Sequence, residues 1–193
     1  MQVLTGMPSA PVLGGSFDLS TVLALPGGRG HQSLTGNFAI SDDGADLLVS
    51  AGSGVQLFGP GASRQILAER GAAVAFAPGS HDAVVAGLGV TLVKDVSGAA
   101  GQQVIARDGS VPAAVGVAFS ADSTKLYLAS SVGQGVAVFD LNAGTNSMIP
   151  CNCTPAGISG MGNLYRLNEV GAAPLWLLDT TASGPRIVFV PVS

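Results

Sequence analysis

The chain has 193 residues, room for one sizeable core with no need of a second domain. Eight Lys and Arg against twelve Asp and Glu give a net charge of −4, so no basic stripe exists to neutralise phosphates and nucleic-acid binding is disfavoured. Only 10% of residues are charged while 47% are hydrophobic, yet the apolar residues fall in short pieces and none approaches the ~20 residues of a membrane-spanning helix.

The first 37 residues open with Gln2-Val3-Leu4-Thr5, a candidate single strand. They then pass through Pro8, Pro11, Gly14, Gly15 and Pro26-Gly27-Gly28, with Thr21 to Leu25 as the other strand candidate and little helix signal. The start carries neither a basic n-region nor a long apolar h-region, so no signal peptide is visible from Met1 onward.

A repeated phrase begins at Phe38. Its first copy is Phe38 to Ile40, the turn Ser41-Asp42-Asp43-Gly44, Leu47 to Ser50, a glycine turn at Gly52-Ser53-Gly54, Val55 to Phe58, and a more polar outer strand from Arg64 to Glu69. The second is Val74 to Phe76, the turn Ala77-Pro78-Gly79-Ser80, Ala83 to Ala86, Val90 to Asp95 and Gln102 to Ala106. The third reads most clearly: Val117 to Phe119, a polar turn at Ser120 to Thr124, Lys125 to Ser130, a glycine turn at Gly133 to Gly135, Val136 to Leu141, and Ser147-Met148-Ile149 outermost. A fourth, degenerate copy runs through Gly157-Ile158-Ser159, Leu164 to Asn168, Pro174 to Asp179 and Arg186 to Val190. Short apolar runs rich in β-branched and aromatic residues, split by compact turns, describe antiparallel meanders.

Phe38, Val74, Val117 and Ile158 are equivalent positions, spaced by 36, 43 and 41 residues. A period of about 40 with four strands per unit marks a propeller blade, and the 3.6-residue amphipathicity of helical solenoids is missing. The expected fold is therefore all-β, a propeller-like array of about four four-stranded antiparallel blades with an N-terminal strand and long connection. It forms a single domain over 1–193: leftover strand and connection in 1–37, blades in 38–72, 73–115 and 116–156, and a degenerate C-terminal blade in 157–193.

Phe119-Ser120-Ala121-Asp122-Ser123-Thr124-Lys125-Leu126-Tyr127-Leu128-Ala129, followed by Val136 to Leu141, resembles the blade phrase of the β-propeller repeat superfamily, in the style of the YVTN-type and lactonase-like bacterial propellers. The family's Ser-Pro-Asp-Gly turn survives in part as Ser41-Asp42-Asp43-Gly44, Ala77-Pro78-Gly79-Ser80 and Ser120-Ala121-Asp122-Ser123, and no copy keeps all four residues. The resemblance covers residues 38 to 141 and implies a fold, not a catalytic motif. It also implies six to eight blades, whereas four are visible. Three arrangements reconcile the two: a closed four-bladed ring, self-association of two chains into one ring, or completion of the ring by missing upstream blades, for which Gln2 to Thr5 would be a leftover outer strand. A bacterial, extracytoplasmic setting is implied by the same style if Met1 is not the native start.

Candidate chemistry is sparse. Cys151-Asn152-Cys153 is the only cysteine pair, and His31 and His81 are not at ligand spacing beside it, so a structural or locally oxidised pair is favoured over a metal site. Asn152-Cys153-Thr154 matches a short glycosylation sequon. His81-Asp82 could be acid–base chemistry, but in a hairpin turn the pair is expected to be solvated or to cap the turn through the Asp oxygen. Asp42, Asp43 and Asp122 hold matching turn positions and place carboxylates on one rim, where turn formation is a simpler account than a cation site. Gly27-Gly28-Arg29-Gly30-His31 lacks the Lys-Ser/Thr of a P-loop, and Trp176 reads as a core residue of the last blade. No catalytic, cofactor-binding or metal residue is assigned. The expected function is a non-catalytic propeller-type binding or assembly module with an unknown ligand. The alternative, implied by the resemblance, is a lactonase-like hydrolase using the central channel. Against it, the innermost strands Phe38 to Ile40, Val74 to Phe76 and Val117 to Phe119 supply no polar residue.

Overall fold

The computed structural model describes residues 2–5, 12–16, 38–51, 54–59, 62–68, 73–98, 101–106, 114–130, 132, 135–150, 155–160, 175–179 and 186–190. Their regular structure is entirely β. In chain order the strands are β1 (Gln2–Thr5), β2 (Val12–Ser16), β3 (Phe38–Ile40), β4 (Leu47–Ala51), β5 (Gly54–Gly59), β6 (Ala62–Leu67), β7 (Ala73–Phe76), β8 (Ala83–Ala86) and β9 (Val90–Lys94). They continue with β10 (Gly101–Ala106), β11 (Ala114–Phe119), β12 (Lys125–Ser130), β13 (Gly135–Asp140), β14 (Thr145–Pro150), β15 (Pro155–Gly160), β16 (Leu175–Asp179) and β17 (Arg186–Val190). Among the described residues no helix is long and apolar enough to cross a membrane.

Three antiparallel sheets have four strands in sequence order, β3-β4-β5-β6, β7-β8-β9-β10 and β11-β12-β13-β14, and β15-β16-β17 form a three-stranded fourth. The first strands run side by side, β3 against β7, β7 against β11 and β11 against β15, and the third and fourth strands fan away from this line. The result is a propeller-like array.

Period-two alternation explains why the sheets stack. In β8, Val84 and Ala86 face the third sheet, where they join Leu126, Leu128, Ala137 and Phe139 in one cluster. Their neighbours Ala83 and Val85 face the first sheet and join Leu48, Val55 and Leu57. In β12 the same division sends Leu126 and Leu128 one way and Tyr127 and Ala129 the other, toward Ile158 of the fourth sheet. Each middle strand is thus apolar on both faces, and it reads as a nearly continuous hydrophobic run instead of an alternating one.

The turn chemistry also repeats. Gly44 N donates to Ser41 O (2.8 Å), Ser80 N to Ala77 O (3.2 Å) and Ser123 N to Ser120 O (3.0 Å). In the second turn Pro78 presets φ at the first central position and Gly79, at φ +65°, accepts the left-handed second position, a type II arrangement. In the first and third turns the left-handed residue comes one position later, as Gly44 at φ +72° and Ser123 at φ +60°. Ser123 holds a backbone conformation that disfavours any Cβ.

Several expected boundaries shift. Gln2–Thr5 is not solitary: it pairs with Val12–Ser16, a strand hidden in the sequence by Pro11, Gly14 and Gly15. In the fourth unit β15 pairs directly with Leu175–Asp179, so the expected intervening strand from Leu164 to Asn168 does not stand between them. The compact run Leu175-Trp176-Leu177-Leu178 supplies the apolar residues that a central strand needs, whereas Tyr165-Arg166-Leu167-Asn168 does not. The Leu164 to Asn168 segment, Thr21 to Leu25 and Glu69 lie outside the described residues.

Two substitutions test this packing by chemical denaturation. Leu128→Ala, at a fully buried position between two sheets, should lose about 2–5 kcal/mol. Ser123→Gly should gain about 1 kcal/mol by relieving the left-handed backbone, less the extra freedom of glycine in the unfolded chain.

Candidate functional site

The carboxylates of the array gather in the turns, while the outer strands β6 and β14 carry uncharged polar residues and Arg64. Because each sheet is an antiparallel meander, the turns after its first and third strands lie at one end. That rim carries Asp42, Asp43, Asp46, Asp82, Asp95, Asp122 and Asp140.

Two of these turns share one geometry. Ser41 Oγ donates to Asp43 Oδ1 (2.7 Å) and accepts from Asp46 N (2.9 Å), and Ala45 N donates to Asp43 Oδ1 (3.0 Å). In the third sheet Ser120 Oγ donates to Asp122 Oδ1 (2.6 Å) and accepts from Lys125 N (2.9 Å), while Thr124 donates to Asp122 Oδ1 through N (3.1 Å) and Oγ1 (2.8 Å). These donors favour the ionised carboxylate. The Ser41 hydroxyl leads in holding Asp43 below the usual aspartate range, and the Ser120 hydroxyl leads in taking Asp122 down to about 2. Asp140 caps its own turn by accepting from Asn142 N (3.0 Å) and Ala143 N (2.8 Å).

His81 and Asp82 are partly solvated, as expected of a turn pair, but each also reaches a partner outside its own turn. His81 turns back to the preceding sheet, with Nδ1 2.6 Å from Asp46 Oδ2 and Nε2 3.4 Å from Asp43 Oδ2. Asp82 reaches forward, accepting from Lys94 Nζ (2.6 Å) and Asp95 N (2.9 Å). Burial opposes the charge on Asp82, but the Lys94 ammonium and the Asp95 amide outweigh it and its acidity increases. The two side chains leave the turn before β8 toward different neighbours, His81 toward the first sheet and Asp82 toward the turn after β9. No spacing in the sequence marks the pairing of Asp46 with His81, since the two lie 35 residues apart.

Further links cross the same seam. Gly79 N donates to Asp42 Oδ2 (2.7 Å), and Arg64 Nη2 of β6 donates to Gly98 O (3.0 Å) and to Val96 O, in the turn after β9. The matching carboxylates at Asp43 and Asp122 are therefore tied into their own turns, and Asp42 into the next. Cys151, Cys153, His31, the Gly27 to Gly30 stretch and the side chain of Trp176 lie outside the described residues. The backbone of Trp176 sits in β16, paired with Ser159 and Phe189.

No protein-family model matches the chain, and no curated protein sequence matches it. Among solved structures, a chain of the nidogen/laminin complex is similar with a TM-score of 0.61 and 10% identity, over 79% of this chain and 58% of that one. An auxiliary nutrient binding protein from Bacteroides ovatus is similar with a TM-score of 0.55 and 11% identity, over 80% of this chain and 46% of that one. The present chain thus spans about half the length of each. At this identity the likeness is one of fold.

The turn chemistry sets a pH dependence. Asp122 is more acidic folded than unfolded, so its contribution is fully present above its ordinary value of 3.8 and is lost as pH falls through about 2. Denaturant titrations should show Asp122→Asn less stable than the parent at pH 5 to 7, with the gap closing toward pH 2. A gap independent of pH would contradict the assignment.

Proposed function

We propose that the chain is a non-catalytic propeller-type binding or assembly module whose array is completed by further sheets, from a second copy or from another part of a longer chain. The observation that carries this reading is the two-faced apolar sheet. A unit apolar on both sides needs a neighbour on each: Leu47, Val49 and Phe58 on the far face of the first sheet are buried just as Leu48, Val55 and Leu57 are on its near face, so a terminal sheet needs cover as much as an inner one.

Two further observations support a binding role over catalysis. The first strands β3, β7 and β11, where a central channel would draw its polar groups, contribute Phe38 to Ile40, Ala73 to Phe76 and Ala114 to Phe119, without a titratable side chain. The rim turns that do carry carboxylates use them to hold the loops in one conformation, as suits a rigid recognition surface. Of the two similar solved structures, one is a chain of the nidogen/laminin complex and one is described as an auxiliary nutrient binding protein, which supports a binding role. The fold hosts many functions, so this is support for a class of role and not for a partner. Within that class, the resemblance of Phe119 to Leu141 to the YVTN-type blade phrase is what supports that style of propeller.

Sedimentation of the purified chain at micromolar concentration, with an apolar-surface dye in parallel, tests the assembly role. The expected result is reversible association to at least twice 19.0 kDa, or a monomer that binds the dye strongly. A monomer that binds no dye would sink it. Turnover of a simple lactone or aryl ester, lost in His81→Ala, would overturn the non-catalytic role.

A further inference from the structure

One titratable side chain joins two turns across the rim seam between the first two sheets. Asp46 closes the β3–β4 turn and is only 1% exposed, so its carboxylate needs a hydrogen-bond donor that the solvent cannot supply. His81, in the β7–β8 turn, provides it through Nδ1 at 2.6 Å, while Nε2 faces Asp43 Oδ2 at 3.4 Å. A neutral imidazole has one N–H and can serve one of these carboxylates. The imidazolium has two, and with Nδ1 bonded to Asp46 its second N–H edge faces Asp43 as an ion pair.

We propose that His81 is a proton-dependent latch between the first and second sheets, closed when the imidazolium bridges Asp46 and Asp43 and loosened at the Asp43 arm when one proton leaves. The contact spans a sheet boundary, so its loss is felt as slack between two packed units and not as a local turn change. The carboxylates around the ring are Asp46 and Asp43 from the β3–β4 turn, Asp95 from the turn after β9, and Asp82 next in the chain, the last engaged by Lys94 and Asp95 N. The cation on that side is Arg64 of β6, whose guanidinium is bonded to the carbonyls of Val96 and Gly98. Gly79 N donates to Asp42 Oδ2 (2.7 Å) and reports directly on the seam, whereas Val96 N donates to His81 O (2.9 Å) within the second sheet and serves as the internal reference.

The direction follows from the surroundings. The bond to Asp46, more than the charges of Asp43 and Asp95, raises the proton affinity of His81 above its ordinary value of 6.5, against a smaller opposing effect of burial. A group that binds its proton more tightly when folded contributes fully below the unfolded value, and the contribution fades as pH rises through the higher folded midpoint. At the acid end Asp43, held more acidic than usual by Ser41, must first ionise. The latch is therefore closed in mildly acidic to neutral solution and slack in alkali.

The test is NMR of the whole chain from pH 5 to 9. It follows the His81 ring protons together with hydrogen-exchange protection of the Gly79 and Val96 amides, corrected for intrinsic rates. A His81 midpoint above about 6.5 is expected, each unit by which it exceeds that value corresponding to a tenfold difference in the closing constant between the protonated and neutral ring, and Gly79 protection should fall through the same midpoint. His81→Gln should flatten the protection profile. Asp43→Asn, which keeps an oxygen to accept from Ser41 Oγ and Ala45 N, should lower the midpoint while leaving the sheets intact. A midpoint at or below the ordinary value, one that Asp43→Asn leaves unmoved, or Gly79 protection indifferent to the charge on His81 would each overturn the proposal.

Discussion

The structure depends on burying both faces of every middle strand. A strand in a half-solvated sheet alternates apolar and polar residues, but β8 and β12 do not: Ala83, Val84, Val85 and Ala86 are all 0% exposed, as are Leu126, Leu128 and Ala129. Such a strand is satisfied only when a neighbouring sheet lies on each side. A single meander of this composition would leave half its apolar area in water, so the units stack, and the first strands meet along one line because that is where two fanned sheets approach most closely.

This constraint also sorts the chemistry. With both faces dry, charged groups are driven to the ends of the strands, and the rim of the turns collects nearly every carboxylate of the described residues. There each of these rim carboxylates has at least one hydrogen-bond partner. The Ser41 and Ser120 hydroxyls bind the carboxylates two residues on, and Asp82 bridges to Lys94 and the Asp95 amide. Buried polar groups are correspondingly few. Ser50 Oγ, in the interior of the first sheet, is one without a hydrogen-bond partner.

The first and second sheets are joined by two kinds of contact that differ in reach. The apolar cluster around Leu48, Leu57, Val74 and Val85 is insensitive to pH and supplies most of the adhesion. The His81 contact to Asp46 and Asp43 adds direction, because it fixes one turn against the next, and it responds to protons because its central group is a histidine.

Much of the architecture is legible in the residue string. The runs Leu47 to Ser50, Ala83 to Ala86 and Lys125 to Ser130, each followed by a glycine turn and a second apolar run, contain the local information for a meander, since periodicity and turn chemistry act within a few residues. The propeller-like class follows from their spacing. What lay beyond it were contacts that depend on distance in space. Pro11, Gly14 and Gly15 masked a strand that its partner β1 stabilises, and the order of strands in the last unit was set by which run best fills a central position. The partner of His81 was equally hidden, because Asp82 is adjacent in sequence but points the other way, while Asp46 arrives from 35 residues upstream only when two sheets pack. Local pattern determined the strands, their turns and their repetition. Only the stacking of sheets decided which charges face one another, because that pairing is fixed by the separation of whole units and not by any property of the residues alone.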